Sequence, residues 1–497
     1  MSGVMERMGY GDETKYHQID SLRGALEALR TKGSRMKQRI IAVSVVCVLM
    51  IFVFLAFSPD STTAALRQEQ LGKWWKSTDP TDAAIESGIW NSRPADDEKE
   101  VEATPEACDN TPDIIQVAIL ETVRAHDEVD AALVHSIASQ PNVNLTLYQS
   151  GARYGSEKIF HAFGLNYTGP LNPDDFMGTD KHTTIPDFLV LTTSELALRQ
   201  APKRLEALLA QGKTRLICIV HHADHWAEEE RKADIRPWVD ANMIEFWTLS
   251  PHTAAFLSNT IAAWDSNADE PWDNPPAPPI RVFVPIFPID TAVNTTATEQ
   301  ESQDLSFAMQ GDYDPHRRDY KHIFERLGNF LAAAEGERNV SMHLLGQGQR
   351  PSVPENVASH VFFDQSLSYI DFYGLLAKVS AVLPGFASPE YLDRKASSSV
   401  PAALIAGTPL VADRRLLAAY AYVEEESVWL QEDGENEFDV VGRMLSASAE
   451  QRAEKSEHAK ANAERIIQGN IRRVGEWFGE GIVNLYCSGG SEEEEED

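Results

Sequence analysis

The stretch FLVLTTSELALRQAPKRLEALLAQGKTRLICIV, residues 188–220, decides the fold of this chain. It opens and closes on short apolar runs, FLVLT and RLICIV, in which polar residues do not alternate with apolar ones. A strand reads this way when both faces of its sheet are covered. Between the runs, residues 195–209 place apolar side chains at helical spacing. Strand, helix, strand at this distance predicts a βαβ unit and therefore a parallel sheet.

The same rhythm extends outward. Strands are predicted at 114–120, 145–149, 188–192, 215–220, 244–248 and 281–286, with helices at 128–139, 158–163, 195–209 and 253–263. A Pro-rich segment at 265–280 and a polar one at 291–304 interrupt the pattern. It then resumes with strands at 305–310, 341–345, 360–363, 381–384 and 409–412, helices at 322–334, 369–379 and 399–406, and a long closing helix near 446–479. The expected fold class is α/β, with two doubly wound Rossmann-like domains enclosing one cleft, because such sheets bind ligands beyond the carboxyl ends of their strands.

Upstream, IIAVSVVCVLMIFVFLAF at 40–57 carries no charge. Eighteen helical residues rise about 27 Å, enough to cross a hydrocarbon core. Lys32, Arg35, Lys37 and Arg39 precede it, which predicts a cytosolic N-terminus and a luminal body. The predicted layout is a cytosolic tail at 1–39, a transmembrane anchor at 40–57, a polar stem at 58–110, a first Rossmann-like domain at 111–298, a second at 299–485 and an acidic tail at 486–497. Four sequons, at Asn144, Asn166, Asn294 and Asn339, all follow the anchor and are expected to be glycosylated. Cys47 lies in the apolar run and Cys218 in a predicted core strand; Cys108 and Cys487, at opposite ends of the body, could pair in an oxidising lumen, a pairing the sequence leaves open. The formal charge of −32 argues against a nucleic-acid partner.

Three motifs carry candidate chemistry. In YLDRKASSSVPAALIAGTPLVAD, 391–413, Lys395 and Ser397, Ser398 and Ser399 precede a helix with Pro401 in its first turn. Hydroxyls and a lysine at a helix start suit an anion. In GDYDPHRRDY, 311–320, Gly311 ends a predicted strand, and Arg317 and Arg318 offer guanidinium groups for phosphate or form an exposed pair. In HLLGQGQ, Gly346 and Gly348 make a tight loop after the next strand.

The segment AALIAGTPLVAD resembles the glycosyltransferases of the two-Rossmann (GT-B) type, many of which carry a helix followed by an xGTPVVA strand. The resemblance implies that the second domain holds a nucleotide-sugar as substrate, with no further cofactor. It also implies that the loop before this helix and a basic residue after the domain's first strand hold the diphosphate, and that the GQG loop seats the base. Many such enzymes have two glutamates with seven residues between them here; at that register this chain has Arg394 and Ala402, and Glu390 lies just upstream. The acceptor side falls to the first domain, where LETVRAHDEVD offers Glu121 and His126, and VHHADHW offers His221 and His222. A histidine beside a carboxylate is the pairing that deprotonates a hydroxyl. His222, Asp224 and His225 have a metal-like spacing but lie at a strand end, and Asp174 and Asp175 lie in a loop, so no metal is expected. The expectation is a single-pass type II protein of the Golgi or endoplasmic reticulum that transfers sugar to a glycan, protein or lipid hydroxyl without a metal. The alternative is a luminal binding or scaffold protein that keeps the fold without catalysis.

Overall fold

The computed structural model describes residues 111–178, 184–264, 276–290, 305–333 and 339–487. The predicted cytosolic tail, anchor and stem lie outside them, as do Cys108, Asn294 and residues 488–497. Among the described residues no helix is long and apolar enough to cross a membrane.

Two parallel sheets form the body. The first contains β1 (Ile115–Glu121), β2 (Val143–Gln149), β3 (Thr168–Leu171), β4 (Phe188–Leu191), β5 (Arg215–Val220), β6 (Ile244–Thr248) and β7 (Ile280–Val282), in the order β3-β2-β1-β4-β5-β6-β7. The second contains β8 (Leu305–Gln310), β9 (Val340–Gly346), β10 (Val361–Gln365), β11 (Ala381–Val382), β12 (Leu410–Ala412) and β13 (Val428–Leu430), in the order β10-β9-β8-β11-β12-β13. Each sheet winds outward from its first strand and then restarts on the other side. The switch points therefore fall between β1 and β4 and between β8 and β11, and a doubly wound sheet opens its crevice there.

The helices used below are α1 (Asp127–Ala138), α2 (Ser194–Gln200), α3 (Pro202–Gln211), α4 (Pro251–Ala262), α5 (Tyr369–Leu376), α6 (Ser399–Ile405) and α7 (Ala449–Tyr486). In the unit that opens the sequence, β4 and β5 are buried along their whole length. Phe188 and Val190 face one apolar cluster, Leu189 and Leu191 the other, so the sheet is covered on both sides. The helix predicted across 195–209 is instead two, α2 and α3, because Pro202 has no amide hydrogen to continue the ladder. The closing helix starts at Ala449, where Ser448 and Gln451 form a capping box, and runs to Tyr486.

The cluster behind Phe188 and Val190 continues into the second sheet through Val382, Val400 and Leu404, so the two sheets share one apolar core. Cys218 is a buried free thiol, and Cys487, at the end of α7, is disulfide-bonded. Asn144, Asn166 and Asn339 are exposed.

Candidate functional site

Glu121 is the last residue of β1 and is fully buried. Its carboxylate accepts Val123 N at 2.6 Å and Thr193 Oγ1 at 2.8 Å. Burial pushes its pKa up to about 7. The loop after β1 ends at His126, which holds a left-handed φ of 63° and leads into α1. Non-glycine residues held there are uncommon and cluster at functional sites. The His126 ring stacks on His221, which follows β5, with centroids 3.7 Å apart. His221 Nε2 lies 2.8 Å from the Thr192 carbonyl, so that nitrogen carries the hydrogen and Nδ1 keeps a lone pair. Glu195 of α2 accepts the backbone N–H of His221 at 3.2 Å and of His222 at 3.3 Å, fixing the turn.

All three histidines are held neutral. Burial, then His221 and His222, lowers the His126 pKa well below the ordinary value. Burial lowers His221 as well, and His222 falls to about 3 through burial, His225 and Lys395. Beneath them lies a carboxylate group that the sequence motifs did not single out as a unit. Gln149 Nε2 donates to Asp127 at 3.0 Å and Asp130 at 2.9 Å, and Thr192 Oγ1 donates to Asp130 at 2.6 Å. Arg153 is a further cation here, with its Nε 3.8 Å from Asp127 and its side chain 39% exposed. Sequence reasoning missed it because the loop after β2 has no distinguishing pattern.

On the second sheet, Gly311 follows β8 with φ 136°, and Gly346 ends β9. A Cβ on Gly346 would lie 1.9 Å from the Gly311 carbonyl oxygen, so the two strand ends approach only because this residue is glycine. Gly348 shapes the next turn with φ 107°, and Tyr313 N donates to Gln347 O at 2.7 Å.

The two arginines part company. Arg317 is 48% exposed, bonded to Asp312 at 3.0 Å and to the Tyr391 hydroxyl at 3.1 Å. Arg318 is buried, and its guanidinium is consumed by the Gln310 carbonyl at 2.8 Å, the Arg317 carbonyl at 3.1 Å and Ser399 Oγ at 2.7 Å. Expected as a donor contact, Arg318 instead props the start of α6 against the end of β8. Ser399 is likewise buried, donating to Gln310, and Ser397 is buried with its Oγ accepting Ser399 N at 3.2 Å. Ser398 is the exposed member of the three.

Lys395 Nζ donates to Glu390 Oε2 at 2.7 Å and Arg394 donates to Glu390 Oε1 at 2.6 Å. The lysine hydrogen bond is the main reason that the Glu390 carboxyl sits below its usual pKa.

The rims of the two sheets meet at this point. Lys395 pairs through its main chain with His222, and Ala223 N donates to the Arg394 carbonyl at 3.1 Å. Arg394 Nε reaches Asp224 at 3.2 Å. On the opposite side, Tyr154 hydrogen-bonds Gln347, and Tyr369 of α5 donates to Asp127 at 3.4 Å. His126, His221 and His222 thus border the same crevice as Arg317 and Lys395. His222, Asp224 and His225 have ligand atoms within 4.8 Å of one another and are the described residues able to hold a cation. The His222 and His225 rings are parallel to within 7°, so both would have to turn to share one ion, and Arg394 and Lys395 bring positive charge to the same place.

No protein-family model and no curated protein matches the sequence. Solved structures of similar layout include Anabaena HepE with UDP-glucose, at 13% identity over 74% of this chain and 100% of that one, TM-score 0.46. A glycosyltransferase from Rickettsia africae gives 9%, 75%, 99% and 0.46 on the same measures, and sucrose-phosphate synthase from Thermosynechococcus elongatus gives 10%, 74%, 98% and 0.45. These likenesses concern overall layout; the chemistry of the crevice is read from this chain's own residues.

Proposed function

We propose that this protein is a glycosyltransferase that moves a sugar from a nucleotide-sugar to an acceptor hydroxyl. The observation that carries the reading is the meeting, in one crevice, of a neutral stacked histidine pair from the first sheet with Arg317 and Lys395 from the second. In this reading His126 takes the proton of the acceptor hydroxyl as its oxygen bonds to the anomeric carbon. The bond from that carbon to the diphosphate oxygen breaks, and the diphosphate leaves towards Arg317 and Lys395. Arg317 and Lys395, on exchanging Asp312 and Glu390 for the diphosphate, counter its charge and Ser398 donates a hydrogen bond to it, so that in this reading departure needs no metal. Burial first, and neighbouring positive charge second, lower the histidine pKa values; the bound diphosphate offsets the second, so donor binding moves the base towards readiness.

The acceptor is a glycan, protein or lipid hydroxyl, and the run at 40–57 anchors the chain as a type II protein with its body in the Golgi or endoplasmic reticulum lumen. Endoglycosidase treatment of the full-length chain should increase its gel mobility; an unchanged band would place the body on the cytosolic side. UDP, which is bound in some structures of similar layout, is the first donor probe. Titration calorimetry should give saturable binding of UDP or another nucleoside diphosphate, and Lys395→Ala and Arg317→Ala should each weaken it about tenfold or more. No binding of any nucleoside diphosphate would overturn the proposal. A second reading, binding without transfer, is favoured by Arg394, which stands at the register of the family's first glutamate and bridges Glu390 to Asp224. Nucleotide binding without turnover of any nucleotide-sugar would select it.

A further inference from the structure

His252 is the second residue of α4 on the first sheet, and it is 7% exposed. Its ring nitrogens both face main-chain carbonyls of the second half of the chain. Nδ1 lies 2.8 Å from Ala419 O and Nε2 lies 3.1 Å from Lys395 O. Ser250 Oγ, at 3.5 Å from Nε2, is the remaining polar neighbour. The ring also packs edge-on against Tyr420, with centroids 4.7 Å apart. Tyr420 is itself a clasp: its hydroxyl donates to Tyr391 O at 2.8 Å and accepts Ser397 N at 2.9 Å. Tyr420 therefore fixes both ends of the segment that carries Lys395, and His252 grips its middle from the opposite sheet.

We propose that His252 is a positioning residue for anion binding: it sets the Lys395 segment from across the crevice. This rests on the reading of Lys395 as a diphosphate contact. The physical reason is reach. Lys395 ends in a flexible chain whose ammonium finds a phosphate only if its Cα is correctly placed. With its ring hydrogen on Nε2, His252 donates to the carbonyl of Lys395, one of the main-chain atoms that set where this Cα sits, beside the Ala223 N–H that holds the Arg394 carbonyl. The second half of the chain fixes the ends of this segment through Tyr420, and the first sheet holds its middle, so the anion site is complete only when the two rims are together.

The test is a double-mutant cycle on the full chain with UDP as probe. His252→Phe keeps a ring against Tyr420 and removes both polar contacts. It should weaken UDP about tenfold, the loss of one or two hydrogen bonds. In a Lys395→Ala background the same change should add less than about twofold, because two residues acting through one contact are not additive. A residue that only supports the fold would give additive losses, and additivity overturns the inference, as does unchanged affinity in His252→Phe. His252→Gln, which keeps a donor, should recover part of the affinity and serves the same cycle if the phenylalanine variant does not fold. Failure of the unmodified chain to bind any nucleoside diphosphate would instead strike the function proposed above.

Discussion

Arg317 and Arg318 are neighbours with opposite duties, and the difference is one of burial. Arg318→Ala would take one of its partners from Ser399 and from each of the Gln310 and Arg317 carbonyls and empty a buried space, at a cost of roughly 2–4 kcal/mol. Its expected signature is a lowered Tm, with UDP affinity falling only as α6 loosens. Arg317→Ala removes an exposed guanidinium, so it should leave Tm within about 1 °C and act on UDP affinity alone. Thermal melts and calorimetry on the two variants separate the roles. Glu121 gives a prediction about pH. Its folded pKa of about 7 lies above the ordinary 4.5, so the folded state holds the proton more tightly than the unfolded one. This group stabilises least at high pH: stability falls as pH rises from about 4.5 to about 7 and is then flat. The penalty above that range is on the order of 3 kcal/mol or a little more. His222 acts at the other end, since its folded value of about 3 makes stability fall as pH drops below about 6.5. Glu121→Gln should therefore raise Tm at pH 8 more than at pH 5 relative to the parent chain, and an equal shift at both would show that the carboxyl titrates normally.

At the scale of elements, Gly346 marks where local sequence and tertiary packing agree. Gly346→Ala would drive a methyl group into the Gly311 carbonyl, and backbone on both sides leaves little to yield. We expect the variant to lose several kcal/mol of stability and its nucleotide affinity together, checked by chemical denaturation alongside UDP titration. Much of this layer is legible in the sequence. Strands buried on both faces, such as β5 and β6, announce themselves as apolar runs. Several elements missed lack such a mark, although β13, an apolar but three-residue strand, and the amphipathic helix Glu437–Ser446 were missed as well. β3 is a four-residue edge strand with a largely exposed face, and the helix Glu229–Asp240 is mostly polar with Pro237 inside it. The crevice was readable where residue type and strand end coincide, at His126, His221 and Arg317. Arg153 and His252 were not, because their roles come from which strand ends the switch points bring together. The sequence also assigns Arg318 and Ser399 to the surface of the anion site, whereas packing turns them inward.

At the scale of the molecule, α7 joins what the two switch points divide. Its 38 residues span about 57 Å. The first half lies on the second sheet, with Asn462 holding Glu424 N at 3.1 Å and Tyr422 O at 3.0 Å. The second half crosses to the first sheet, where Asn470 donates to Val284 O at 2.7 Å, Phe478 stacks on Phe188 at 4.4 Å and Trp477 meets Trp247 at 4.9 Å. A helix that spans both sheets, over an apolar core that is itself continuous, is expected to couple their unfolding. Calorimetry on the body should accordingly show one main transition. Phe478 is buried and distant in sequence from every residue of the crevice, so Phe478→Ala tests that unity without touching the chemistry. The cavity should lower stability by roughly 3–5 kcal/mol. If α7 ties the sheets, the transition moves down as a whole, and UDP affinity measured well below it stays within about twofold of the parent. If instead the first sheet melts early and the transition splits in two, the sheets are separate folding units, and the closed crevice that brings His126 to Lys395 would depend on the contacts at its rims, main-chain and side-chain, alone.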